Sequence, residues 1–104
     1  MILATIDYIT GKELEVIGMV QGSTIQSKDL GKDIVQSLKT LVGGELTGYT
    51  EMMNEARAMA TKRMVGMAEA MGADAVVNVR YASSAVMQGA AEVIAYGTAV
   101  KFKV

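Results

Sequence analysis

Nine methionines stand in a chain that has no cysteine and no histidine. Six of them, Met52, Met53, Met59, Met64, Met67 and Met71, fall between positions 52 and 71. Thioether sulfur is a soft ligand that suits Cu(I) or Ag(I). Met53, Met64, Met67 and Met71 read as fillers of one apolar helical stripe, which leaves Met52 and Met59, seven apart, as the pair to test for metal. Glu51 and Glu55, at i and i+4, could clamp a hard cation or be a solvated face. Arg57 lies about 20° from the centre of the apolar stripe and therefore needs a partner. That partner is either a carboxylate, such as Asp74 or one from a neighbouring subunit, or a bound anion.

A second constellation is Gly43-Gly44-Glu45-Leu46-Thr47-Gly48-Tyr49-Thr50. It has the G-x-x-x-x-G spacing of a phosphate-binding loop and a Thr at the right distance. The loop's Lys is replaced by Tyr49, and a helix rather than a strand is expected before it, so the nucleotide reading is rejected. A small anion at that helix start, or a tight inter-helix turn, are the remaining readings. Ser23, Ser27, Ser83 and Ser84 could act with Lys28 only as a Ser–Lys pair, and nothing in their spacing positions them.

The missing residue types exclude much other chemistry. Without Cys there is no disulfide, thiolate nucleophile or iron–sulfur cluster; without His there is no Ser-His-Asp triad and no Cys/His zinc site. An enzyme reading therefore ranks last, and the expectation is a protein without catalytic residues. Ten Lys+Arg against eleven Asp+Glu give a net charge of −1, which makes no electrostatic case for nucleic acid or an anionic membrane. Met1 to Asp7 lacks a basic leader region, and no apolar run approaches the ~20 residues of a bilayer span, so a cytoplasmic, soluble protein is expected. A chain of 104 residues, 51% hydrophobic and 20% charged, is a single globular domain over residues 1–104.

The elements that must position these residues are β-β-α-α-β-β. Residues 2–9 and 13–25 read as extended, joined by a hairpin turn at Thr10-Gly11-Lys12. Apolar residues on both faces of the second run predict burial on much of both sides, and Gly18 and Gly22 suggest bulges or a bend. Leu30, Ile34, Leu38 and Leu41 mark a first helix, with Ser27 as its N-cap and Gly43-Gly44 as its end. A second helix runs over roughly 47–71, with Leu46, Met53, Ala60 and Met67 as its stripe, widened by Ala56, Met64 and Met71 and edged by Met52 and Met59, and Gly72 stops it. Residues 75–81 form a strand, 83–89 a loop, and 92–104 a last strand. Its Val93, Ala95, Gly97 and Ala99 invite close approach of another backbone or a helix, with Ile94, Tyr96, Val100 and Phe102 on the other side. This is an α+β fold with two helices on a small sheet. A helix of about 25 residues is ~37 Å long, whereas a compact chain of this size is roughly 34 Å across, which predicts an oligomer.

Leu41-Val42-Gly43-Gly44, Tyr49, Ala56-Arg57, Met71-Gly72-Ala73-Asp74-Ala75-Val76-Val77 and Tyr96-Gly97-Thr98-Ala99-Val100 resemble, in order and spacing, the YbjQ-like family. This bacterial and archaeal family carries the label "putative heavy-metal-binding". The resemblance covers essentially the whole chain. It implies a dodecin-subunit-like β-β-α-α-β-β unit assembled as a ring, a homopentamer, whose partner is itself. It carries no catalytic motif and defines no cofactor. Among the matching positions Tyr49, Arg57 and Asp74 are the ones able to bind something. With Asn78 they are the candidate ligand residues at inter-subunit clefts; Met52, Met59, Glu51 and Glu55 are the metal candidates. The alternative is a scaffold whose partner is another protein.

Overall fold

The computed structural model describes residues 1–27, 47–87 and 90–104. Strands β1 (Ile2–Leu3) and β2 (Leu14–Ser27) precede helix α1 (Thr47–Ala70), which is followed by β3 (Ala75–Met87) and β4 (Ala90–Phe102). They form one mixed sheet in the order β1-β3-β4-β2, with β1 parallel to β3 and the other neighbours antiparallel. The expected first helix lies outside the described residues.

Small residues set how α1 meets the sheet. A Cβ on Gly22 would lie 2.3 Å from both the Ala60 carbonyl oxygen and the Met64 nitrogen, so β2 touches the helix backbone itself. Val93, Ala95 and Ala99 of β4 pack with Ala56, Ala60, Met64 and Ala68, as the small-residue face of the last strand predicts. The buried line on α1 is Met52, Ala56, Ala60, Met64 and Ala68, a spacing of four throughout. Each such step drifts ~40° around the helix. Of the expected stripe, Ala56, Ala60 and Met64 are buried as read, Met53 and Met71 are only half-buried, Met67 is exposed, and Leu46 lies outside the described residues. The alanines of this line, with Gly22 opposite, let the helix approach the sheet closely.

Gly72 ends α1 as expected, at φ +78°. Its N–H donates to the Glu69 carbonyl (3.0 Å) and that of Ala73 to the Ala68 carbonyl (3.0 Å), a Schellman cap.

Three other expectations fail. The Ile9 carbonyl accepts from the Lys12 N–H across a turn with Gly11 at φ +77°, but no hairpin follows. β1 pairs with Ala75 and Val76 at one side of the sheet, and β2 lies at the other. Residues between them instead close the near end of the sheet face opposite α1, where Ala4, Ile9, Leu14 and Phe102 pack on Ala75, Val77 and Val100. The loop expected from Ser83 is strand, because Ser83, Ser84 and Ala85 pair with Val93, Glu92 and Ala91. β2 is buried on one face only: Met19 is 74% and Ile25 62% exposed. Of its two glycines, Gly18 adjoins a register shift and Gly22 is a contact point.

Candidate functional site

Among the described residues α1 packs mainly on β2 and β4 and leaves the adjoining part of β3 uncovered. The result is a groove of ≈ 100 Å³ lined by Met53 and Arg57 of α1, Tyr81, Ala82 and Ser83 of β3, and Val93 of β4. Tyr81 and Ser83 reach it because alternate residues of β3 face the helix, where they pair with Ala95 and Val93.

The polar groups form a directed chain. The Thr61 hydroxyl donates to the Arg57 carbonyl (2.7 Å) and lies 2.8 Å from the Tyr81 hydroxyl. With the Thr61 proton committed, Tyr81 donates to Thr61 and keeps its own lone pairs free. The Arg57 side chain is exposed and donates to Asn54 Oδ1. Among the described residues no carboxylate pairs with it; the ion pair found is Lys103–Glu13 at 3.6 Å. Most of the five guanidinium N–H donors therefore remain available. The groove offers a cation with donors, a phenolic acceptor and the Ser83 hydroxyl over an apolar floor. Its volume is about three waters' worth, the size of a small oxyanion or carboxylate.

The expected ligand residues do not converge here. Asp74 lies beyond the C-terminal end of α1, whose last residue, Ala70, is ~20 Å along the axis from Arg57. Its Oδ2 accepts from the Phe102 N–H (2.8 Å) and its own N–H donates to the Val100 carbonyl (2.8 Å), so it ties the helix-to-strand turn to β4. The proposed Arg57–Asp74 ion pair is thus absent. Asn78 sits at φ 54° in a bulge of β3 opposite Gly97, and its N–H donates to the Ile6 carbonyl (3.0 Å). A Cβ on Gly97 would come within 2.9 Å of the Val77 carbonyl, so the bulge leans over that glycine. Tyr49 falls in the first turn of α1, and its side chain lies outside the described residues. Periodicity puts Tyr81 at the end of a strand with no role and Ser83 in a loop; nothing short of the pairing of β3 with β4 brings the two to one groove.

The metal candidates separate as well. Met52 is 1% exposed in the core, while Met59 is 38% exposed. Met59 and Glu55 line a second groove, of ≈ 330 Å³, with Gln26, Ala58 and Lys62 on the β2 flank of α1. Glu51 is exposed and lines neither groove. Among the described residues no three His, Cys, Asp or Glu side chains are grouped to hold a metal ion. No helix among them is long and apolar enough to cross a membrane.

Comparison with known proteins extends over the whole chain. A UPF0145 protein of Alkaliphilus metalliredigens is 70% identical over 102 residues, covering 98% of this chain and 99% of that one. Another, from the archaeon Methanosarcina acetivorans, is 63% identical over 102 residues, covering 97% and 96%. The crystal structure of a protein of unknown function from Pediococcus pentosaceus, assigned to the DUF74 family, superposes with a TM-score of 0.69. It covers 99% of this chain and 98% of that one at 14% identity, and so supports the fold alone. The family model described as "Putative heavy-metal-binding" matches residues 1–103, and the chain belongs to that YbjQ-like family.

Proposed function

We propose that this protein binds a small anion, an oxyanion or short carboxylate, through Arg57 in the groove between α1 and β3, and that it does so as a ring of identical subunits. The observation that carries the reading is Arg57 itself. It is exposed at a groove, free of any carboxylate among the described residues, and beside the Tyr81 and Ser83 hydroxyls. The ring, with five copies as the resemblance implies, is part of the proposal. Binding, rather than catalysis or scaffolding, is the role proposed.

The soft-metal reading has less support. Met52 sulfur is in the core beside Ala56, and Met59 shares its groove with the Lys62 ammonium, which disfavours a cation.

Thermal melting in a panel of phosphate, sulfate and small carboxylates tests the reading. A ligand at a hundredfold excess over its Kd adds about 2.7 kcal/mol, a rise on the order of 10 °C for a chain of this size. Arg57→Gln should abolish the rise while leaving the ligand-free melting temperature within a few degrees. A rise that is unchanged in Arg57→Gln, or no rise with any anion, would sink the reading.

A further inference from the structure

We infer that the Tyr81 hydroxyl makes the Arg57 groove selective for an anion that brings its own proton: a hydrogen oxyanion such as hydrogenphosphate, or a carboxylate that bears a hydroxyl. The inference deepens the binding role proposed for Arg57 and rests on it. All the residues involved belong to one copy of the chain.

A threonine hydroxyl has a single proton and two lone pairs. The Thr61 oxygen lies 2.7 Å from the Arg57 carbonyl, which can only accept, so the Thr61 proton goes there. The Tyr81 oxygen lies 2.8 Å from the same Thr61 oxygen. Two oxygens that close share a proton, and Tyr81 must supply it. Acidity points the same way, because a phenol is a stronger acid than an aliphatic alcohol and so the better donor. Tyr81 lines the groove and Thr61 does not. The bonded side of the phenolic oxygen therefore faces the helix, and its lone-pair side faces the groove.

The other polar side chains of the groove set no such condition. Arg57 carries donors alone and receives any anion, and the Ser83 hydroxyl turns to donate or to accept. Among the lining side chains Tyr81 is the one hydroxyl whose proton is already committed. An anion oxygen held against it must bear a hydrogen. Without one, lone pair meets lone pair, and a polar contact is left unmade. Hydrogenphosphate and sulfate give the contrast in its simplest form. In mildly alkaline solution both are tetrahedral dianions of nearly equal size, so their Coulomb attraction to Arg57 is the same. They differ by one O–H. Glycolate and acetate differ in the same way among carboxylates, and all of these match a groove of ≈ 100 Å³.

Isothermal titration calorimetry with phosphate, sulfate, glycolate and acetate at about pH 8, above the second ionisation of a phosphate, is the test. The parent chain should bind phosphate about tenfold more tightly than sulfate, the effect of one hydrogen bond in an open groove. Tyr81→Phe should weaken phosphate and bring the pair within about twofold of each other. Thr61→Val frees the Tyr81 proton to point into the groove, so sulfate should tighten until the two dianions are again alike. A variant that merely disturbs the fold weakens both together and leaves their ratio unchanged. A preference confined to phosphate over sulfate assigns an inorganic hydrogen oxyanion; one confined to glycolate over acetate assigns a hydroxycarboxylate. Equal binding within both pairs by the parent chain, or a preference that survives Tyr81→Phe, overturns the inference. If Arg57→Gln then still abolishes binding, the Arg57 reading stands without it. Binding of none of these anions removes both.

Discussion

Met52 and Met59 show how far residue type falls short of residue role. Seven apart on a helix, they look like a pair, yet one is a core side chain and the other borders a groove. Neither the spacing nor the thioether chemistry distinguishes them; only the line of contact with the sheet does. The difference is measurable. Met52→Ala should cost about 2–5 kcal/mol, as for other large-to-small core changes, and lower the denaturation midpoint accordingly. Met59→Ala should stay within about 0.5 kcal/mol. Equal losses at the two positions would mean that Met59 is also buried in the working molecule. Arg57 was legible in the sequence as a charge needing a partner, but its partner was not. Asn54, three residues earlier, takes one donor, and Asp74 is occupied with the Phe102 amide.

At the scale of elements, the bounds of α1 and the two faces of β4 could be read from periodicity, because each is set by short-range spacing. Strand order could not. Which strand lies beside β3 depends on pairings between residues some seventy positions apart, such as Ile2 with Ala75. Alternation within a strand carries no information about that partner. The outer half of β3 was missed for a related reason: Ser83, Ser84 and Ala85 have weak strand propensity, and their pairing with β4 decides their conformation. The glycines of β2 give an internal control on how α1 is seated. Gly22→Ala would drive a methyl into the helix backbone, whereas the same change at Gly18 meets only the flexible Met71 Cε at 3.4 Å. Gly22→Ala should cost about 3 kcal/mol or more in urea unfolding. Gly18→Ala should be near neutral. Comparable stabilities of the two variants would show that α1 does not rest on β2 at Gly22.

At the scale of the molecule, the premise from which an oligomer was expected does not hold. The fold extends 57 × 25 × 16 Å, so a helix of 24 residues, ~36 Å long, does not overhang it. The long dimension comes from the β3–β4 hairpin, whose strands have 13 residues each. Self-association rests on the proposed ring alone, and hydrogen exchange can test it at the edges of the sheet, where β2 and outer β3 have one strand partner each among the described residues. β4 is paired on both sides, so its amides from Ala91 to Val100 should exchange slowest at any concentration. In β2 and outer β3, amides alternate between those directed at β4 and those directed outward. The outward set should be protected if a neighbouring copy covers the edges, and should exchange rapidly once dilution gives monomer. The β4-directed set should change little. Uniform protection of both sets in a dilute monomer would instead place another part of the same chain over the edges.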